Sequence, residues 1–178
     1  VTLYWDRSAE STQDKYMGNI TNGADLYDFE GYKIYRATDF EFNDAYNITD
    51  GDGNPTFLEP YVQNGIRAQW DLVDGKSGWH PVDLNGIKFY LGDDTGLTHS
   101  YVDHNVVNGQ RYYYAVVSYD YGGDLSNNII PSDSPMKLRV NPLTGAVSLG
   151  PNVVEVVPSP PSAGFVDASF AGDQVDHV

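Results

Sequence analysis

The sequence contains no cysteine. That removes disulfide frameworks, thiol nucleophiles and thiolate metal ligands together. Cations are scarce as well: 10 Lys and Arg stand against 25 Asp and Glu, a formal charge of −15 at pH 7. So few cations are poorly suited to neutralising a phosphate backbone, which argues against nucleic acid as a partner, and the same balance argues against docking on anionic lipid. No apolar run approaches the roughly 20 residues needed to cross a bilayer, so no membrane insertion is expected. No stretch of useful length has helical periodicity, and no repeat recurs at a period of about 20–50 residues. Catalytic signatures are missing too. There is no Gly-x-Ser-x-Gly elbow, no His-Glu-x-x-His and no phosphate loop. Of His80, His99, His104 and His177, only His99 and His104 bracket one strand, and their odd spacing sets them on opposite faces. Acids are too abundant for any one pair to single out a glycosidase. The chain is expected not to be an enzyme.

What is present points to β-structure. Hydrophobic residues make up 40% and aromatics 13%, enough to bury a core, and 14 Tyr accompany 18 Gly and 10 Pro. Tyrosine suits half-buried strands, whereas Gly and Pro punctuate turns. Period-2 alternation predicts strands at residues 1–6 (VTLYWD), 29–37 (FEGYKIYRA), 87–91 (IKFYL), 98–103, 111–120 and 136–140 (MKLRV). In 111–120 both faces are largely apolar, which predicts a central strand covered on both sides. Residues 7–28 read as a long polar loop, and about 39–96 as an insertion too long for an ordinary connection. After Asn141-Pro142 the texture changes: one short strand at 153–157 (VVEVV) precedes a Pro-stiffened exit at 158–161.

The order of these features resembles the fibronectin type III family of immunoglobulin-like sandwiches. Trp5 matches the core Trp of its second strand. Tyr32, Ile34, Tyr35 and Arg36 match the pattern of the third, and Tyr112 the Tyr that opens the sixth and supports a tyrosine corner. Tyr114 and Val116 continue the inward face, and Ser126 with Pro131-Ser132 resembles the approach to the last strand. The resemblance covers residues 1–41 and 96–140. It implies an all-β sandwich over 1–140, interrupted by the insertion at about 39–96, with an extended tail or linker over 141–178. The wording also resembles modules of large secreted or surface-exposed proteins of Bacteroidetes-like bacteria, implying an extracellular or cell-surface setting. Against that family pattern the chain opens on the second strand, so it reads as a segment of a larger protein whose first strand is supplied from elsewhere. The candidates are preceding residues, the chain's own Val153, Val154, Val156 and Val157, or that strand from a neighbouring copy by strand addition.

Three local patterns suggest chemistry. Asp50-Gly-Asp52-Gly-Asn54 sets oxygens at alternate positions on a Gly-softened backbone, as a hard cation such as Ca²⁺ requires, with Glu59 or Asp44 to complete the shell. The twelfth position is Tyr61 and flanking helices are not predicted, so an EF-hand is excluded. Asp93-Asp94 reads as a solvated turn. Asp6, Glu10 and Asp14 flank the first long loop and would gain meaning if the fold brought them to Asp28 or Glu30. Trp70 and Trp79 lie in the insertion, either as platforms for sugar rings or as a mini-core. The expected function is a non-catalytic structural or adhesive module, partnered by neighbouring modules or copies of itself in a calcium-stiffened array or filament. The alternative is a carbohydrate-binding accessory module of a secreted polysaccharide-degrading enzyme, with glycans as its partners.

Overall fold

The computed structural model describes residues 1–164. The chain is mostly β, with several antiparallel sheets and one short helix. In chain order the strands are β1 (Thr2–Tyr4), β2 (Phe29–Ala37), β3 (Ile48–Thr49), β4 (Pro55–Phe57), β5 (Val62–Gln63), β6 (Ile66–Arg67) and β7 (Gln69–Asp71). They continue with β8 (Trp79–Leu84), β9 (Ile87–Tyr90), β10 (Ser100–Val102), β11 (Tyr112–Asp120), β12 (Leu138–Val140), β13 (Val147–Leu149) and β14 (Val153–Val156).

The two longest alternating segments, β2 and β11, pair in antiparallel register from Tyr113 opposite Ala37 to Asp120 opposite Phe29, with a bulge between Tyr119 and Asp120. They form the middle of a four-stranded sheet in the order β14-β11-β2-β7. A separate ribbon pairs β1 with β10. On one face of the central sheet Ile34, Tyr112 and Tyr114 meet Leu3 of that ribbon and Ala68, with Trp5, Trp70, Tyr101 and Val116 packed around them. On the other, Tyr35, Ala37, Tyr113, Ala115 and Val117 meet Phe42 and Ala45, flanked by Leu58, Met136, Leu138 and Leu149. Both faces of β11 are thus covered, as its composition implies. Fully burying a side chain such as Ile34 or Phe42 contributes about 1.5–3 kcal/mol. Gly31 is required where β7 pairs with β2: a Cβ there would collide with the Trp70 carbonyl and the Tyr119 side chain.

Three expectations change. The segment at 136–140 does not enter the central sheet: Leu138–Val140 pairs with Val147–Leu149 in its own hairpin. The edge beside β11 is taken by β14, with Tyr112 opposite Val156 and Ala115 opposite Val153. Alternation announces a strand but not its partner. The strand placed in the tail therefore belongs to the sheet, while residues 165–178 of that tail lie outside the described residues. The first polar loop holds a six-residue helix α1 (Lys15–Ile20), too short to leave a periodic trace. It forms because the Asp14 carboxylate accepts from the Tyr16 and Met17 amides at 2.7 and 2.9 Å, and because Met17 is buried. Within the insertion, β3–β4, β5–β6 and β8–β9 are hairpins, and β7 joins the central sheet.

Candidate functional site

Tyr32, Ile34, Tyr112 and Tyr114 are buried, and Trp5 and Val116 pack against that cluster. The Val107 amide donates to the Tyr112 hydroxyl at 3.0 Å, a side-chain tie to backbone just upstream of β11. Val153, Val154 and Val156 lie in β14, with Val154 and Val157 largely exposed.

The acidic loop at Asp50 closes on itself. Its Oδ1 accepts from the Asp52 and Asn54 amides at 3.0 and 2.9 Å, and the Asn54 bonds hold the carboxyl below its usual range. Among the described residues, Asp50, Asp52 and Glu59 are not gathered into one ligand group. Asp44 instead accepts from the Thr38 amide and hydroxyl. Asp94 accepts from the Asp74 and Gly75 amides in a turn, and Tyr90 donates to Asp93.

The two insertion tryptophans part ways. Trp70 packs inward, 5.8 Å from Trp5 and 5.5 Å from Tyr101 between ring centroids. Trp79 is 61% exposed, stands edge-on to Tyr90 at 5.1 Å, and helps line a cavity of about 440 Å³. The walls add Phe57 and Phe89, themselves edge-to-face at 5.3 Å. Three of the chain's few cations, Lys33, Arg67 and Lys88, reach the same cavity, against two carboxylates, Glu59 and Asp133. Arg67 lies 5.2 Å from the Tyr90 ring centroid. Lys33 is paired with Asp133 at 2.9 Å and sits 4.3 Å from the centre of Tyr119, so it is fixed rather than free. Arg67 and Lys88 are exposed and open to a ligand. This arrangement can stack an apolar ring face and offer hydrogen-bond donors at its edge. It has no sequence signature, because its cations come from β2, β6 and β9.

A second constellation joins Asp14, Asp28 and Asp120, each with an oxygen within 4.8 Å of the other two. Such a group could hold a metal ion. The Asp28 carboxyl is pushed up to about 6, first by burial and then by the charges of Asp120 and Asp14. Two residues on in sequence, Glu30 is wholly buried, and among the described residues neither of its oxygens has a hydrogen-bond partner. Burial, then Asp74, Asp71 and Asp94 against the relief of Lys76, pushes its carboxyl up to about 8. The meeting of Asp14 with Asp28 follows from their flanking one loop; Asp120 arrives through the pairing of β11 with β2.

The chain matches no protein-family model, no curated protein and no solved structure.

Proposed function

We propose that the chain is a non-catalytic, extracellular carbohydrate-binding module, a fibronectin type III-like sandwich whose insertion holds an anionic sugar residue. The aromatic cavity carries this reading. Trp79 and Tyr90 offer ring faces on which a pyranose can stack, and Arg67 and Lys88 offer donors for a carboxylate or sulfate. In a chain of net charge −15, a cavity with more cations than carboxylates is a selective feature of the surface. Support for the scaffold comes from Trp5 under the β1–β10 ribbon, the strand order around β2 and β11, and the Val107–Tyr112 tie, which has the form of a tyrosine corner. A glycan array spanning neutral, uronate-rich and sulfated polysaccharides tests the reading. The expected result is retention on an acidic glycan that weakens with salt and falls at least about tenfold, or 1.4 kcal/mol, in Trp79→Ala. Trp79 is exposed, so that variant should keep its stability to within about 0.5 kcal/mol. Retention unchanged in Trp79→Ala, or none on any glycan, would sink it.

A second reading, a structural module joined to its neighbours by strand addition, is favoured by one observation. Among the described residues the outer edges of β1 and β14 carry no partner strand. Sedimentation across a concentration series separates the two, since a glycan binder needs no self-association.

A further inference from the structure

We propose that Asp14, Asp28 and Asp120 form a divalent-cation site of the calcium class, which ties the first long loop to the far end of the central sheet. This is independent of the glycan reading, because the site is built from other residues. Asp14 precedes α1, Asp28 precedes β2, and Asp120 ends β11, so one ion would clamp three segments that the chain order keeps apart. An acidic cluster alone would mean little in a chain this acidic. The decisive feature is Asp28, which is only 7% exposed while its Oδ2 is buried with no hydrogen-bond partner among the described residues. Once ionised, a buried carboxylate facing two others, with no donor on that oxygen, is left uncompensated unless a cation meets it.

The other two carboxylates are held ready to join it. Asp14 uses Oδ1 for the Tyr16 and Met17 amides, which leaves Oδ2 available. Asp120 is fixed by Ser132, whose amide donates to Oδ1 at 2.8 Å and whose hydroxyl donates to Oδ2 at 2.5 Å, and each oxygen keeps a further lone pair. Among the described residues, none of the three carboxylates makes an ion pair, although Lys15 lines the same cavity. All the donors are oxygens, which selects a hard cation over a transition metal. The ligands sit at the end of a loop and at two strand ends, not in a rigid octahedral frame. The adjoining cavity of about 500 Å³ has room for the waters that complete a shell of six to eight oxygens. These features favour Ca²⁺ over Mg²⁺.

Calorimetric titration of the whole chain with CaCl2, paired with thermal melts in EDTA and in CaCl2 up to about 10 mM, tests the site across the range of extracellular calcium modules. The expected result is one binding event and a Tm raised by roughly 5–10 °C at about a hundredfold excess over Kd. Asp28→Asn and Asp120→Asn should each weaken binding at least about tenfold, because each removes one charged oxygen ligand. The double variant Asp50→Asn/Asp52→Asn should bind like wild type. Far-UV circular dichroism checks that the variants fold. If one does not, the wild-type titration and the Asp50/Asp52 control still decide. No heat and no Tm shift in wild type, full binding in Asp28→Asn, or loss of binding in the Asp50/Asp52 variant would each overturn the proposal.

Discussion

At the Tyr112 end of the central sheet a buried carboxylate is ringed by donors, and at the Asp120 end buried carboxylates face their own kind. Asp103 is 1% exposed, yet it accepts from Arg36 Nη1 at 2.9 Å, from the Tyr114 hydroxyl at 2.8 Å and from the Asn105 amide at 2.8 Å. Burial raises its carboxyl, but the bonds from Tyr114, Arg36 and Asn105 outweigh burial and leave it below its usual range. Asp28 and Glu30 are comparably buried, lack such donors, and are raised. Equal burial therefore leads to opposite charge behaviour, and the deciding variable is the count of donors within reach. The Asp103 end spends its acid on joining β2, β11 and the segment after β10. The Asp28 end keeps unspent capacity for a ligand.

The contrast breaks most visibly at Asp103. Asp103→Ala would leave Arg36 a half-buried cation and Tyr114 a buried hydroxyl without their acceptor. Urea unfolding should show a loss of about 3–5 kcal/mol, the usual cost of removing one partner of a buried pair. A loss below about 1 kcal/mol would mean that the network is incidental.

pH sharpens the comparison with opposite slopes. The raised groups, Asp28 and Glu30, contribute stability that is complete below their unfolded range near pH 4 and is lost as pH rises through about 6 and about 8. The lowered Asp103 contributes stability above that range and loses it as pH falls further. In chelated buffer, unfolding free energy should drop by roughly 2–4 kcal/mol between about pH 5 and 9. Glu30 faces Asp74, Asp71, Asp94 and Lys76, and Asp28 faces Asp120, Asp14 and Asp25. Glu30→Gln should therefore flatten most of that slope, and a slope unchanged in this variant would assign it elsewhere. The smallest expected effect is at Ser132. Ser132→Ala removes only the hydroxyl donor to Asp120, so it should shift metal-free stability by less than about 1 kcal/mol while loosening calcium binding. An effect on stability larger than the effect on binding would make Ser132 a structural residue.

How much of this was legible depended on whether the signal was local. β2 and β11 were readable because alternation is written into consecutive residues, and the doubly apolar faces of β11 foretold its central position. β14 was readable as a strand, but its pairing with β11 depends on two chain segments meeting, and 136–140 looked equally eligible. The Asp50 loop drew attention because its acids stand at alternate positions, yet that close spacing let the Asp50 carboxylate bond to amides of its own loop. Asp28 and Asp103 gave no local sign of their opposite roles. The first lies at the end of a polar loop, and the second at the end of a strand. Likewise Lys33, Arg67 and Lys88 share a cavity only because three strands converge.

The pairing of β2 with β11 also sets the order in which the chain can assemble. Its two strongest strands are separated by the whole insertion, so their register closes a long loop whose entropy opposes early contact. The hairpins β5–β6 and β8–β9 need only local closure, so they can form first and shorten that loop. β14 can dock only once β11 is in place. Refolding on the slow side, roughly milliseconds to seconds, follows from this topology, and stopped-flow fluorescence of Trp5 and Trp70 would report the moment the ribbon closes over the sheet.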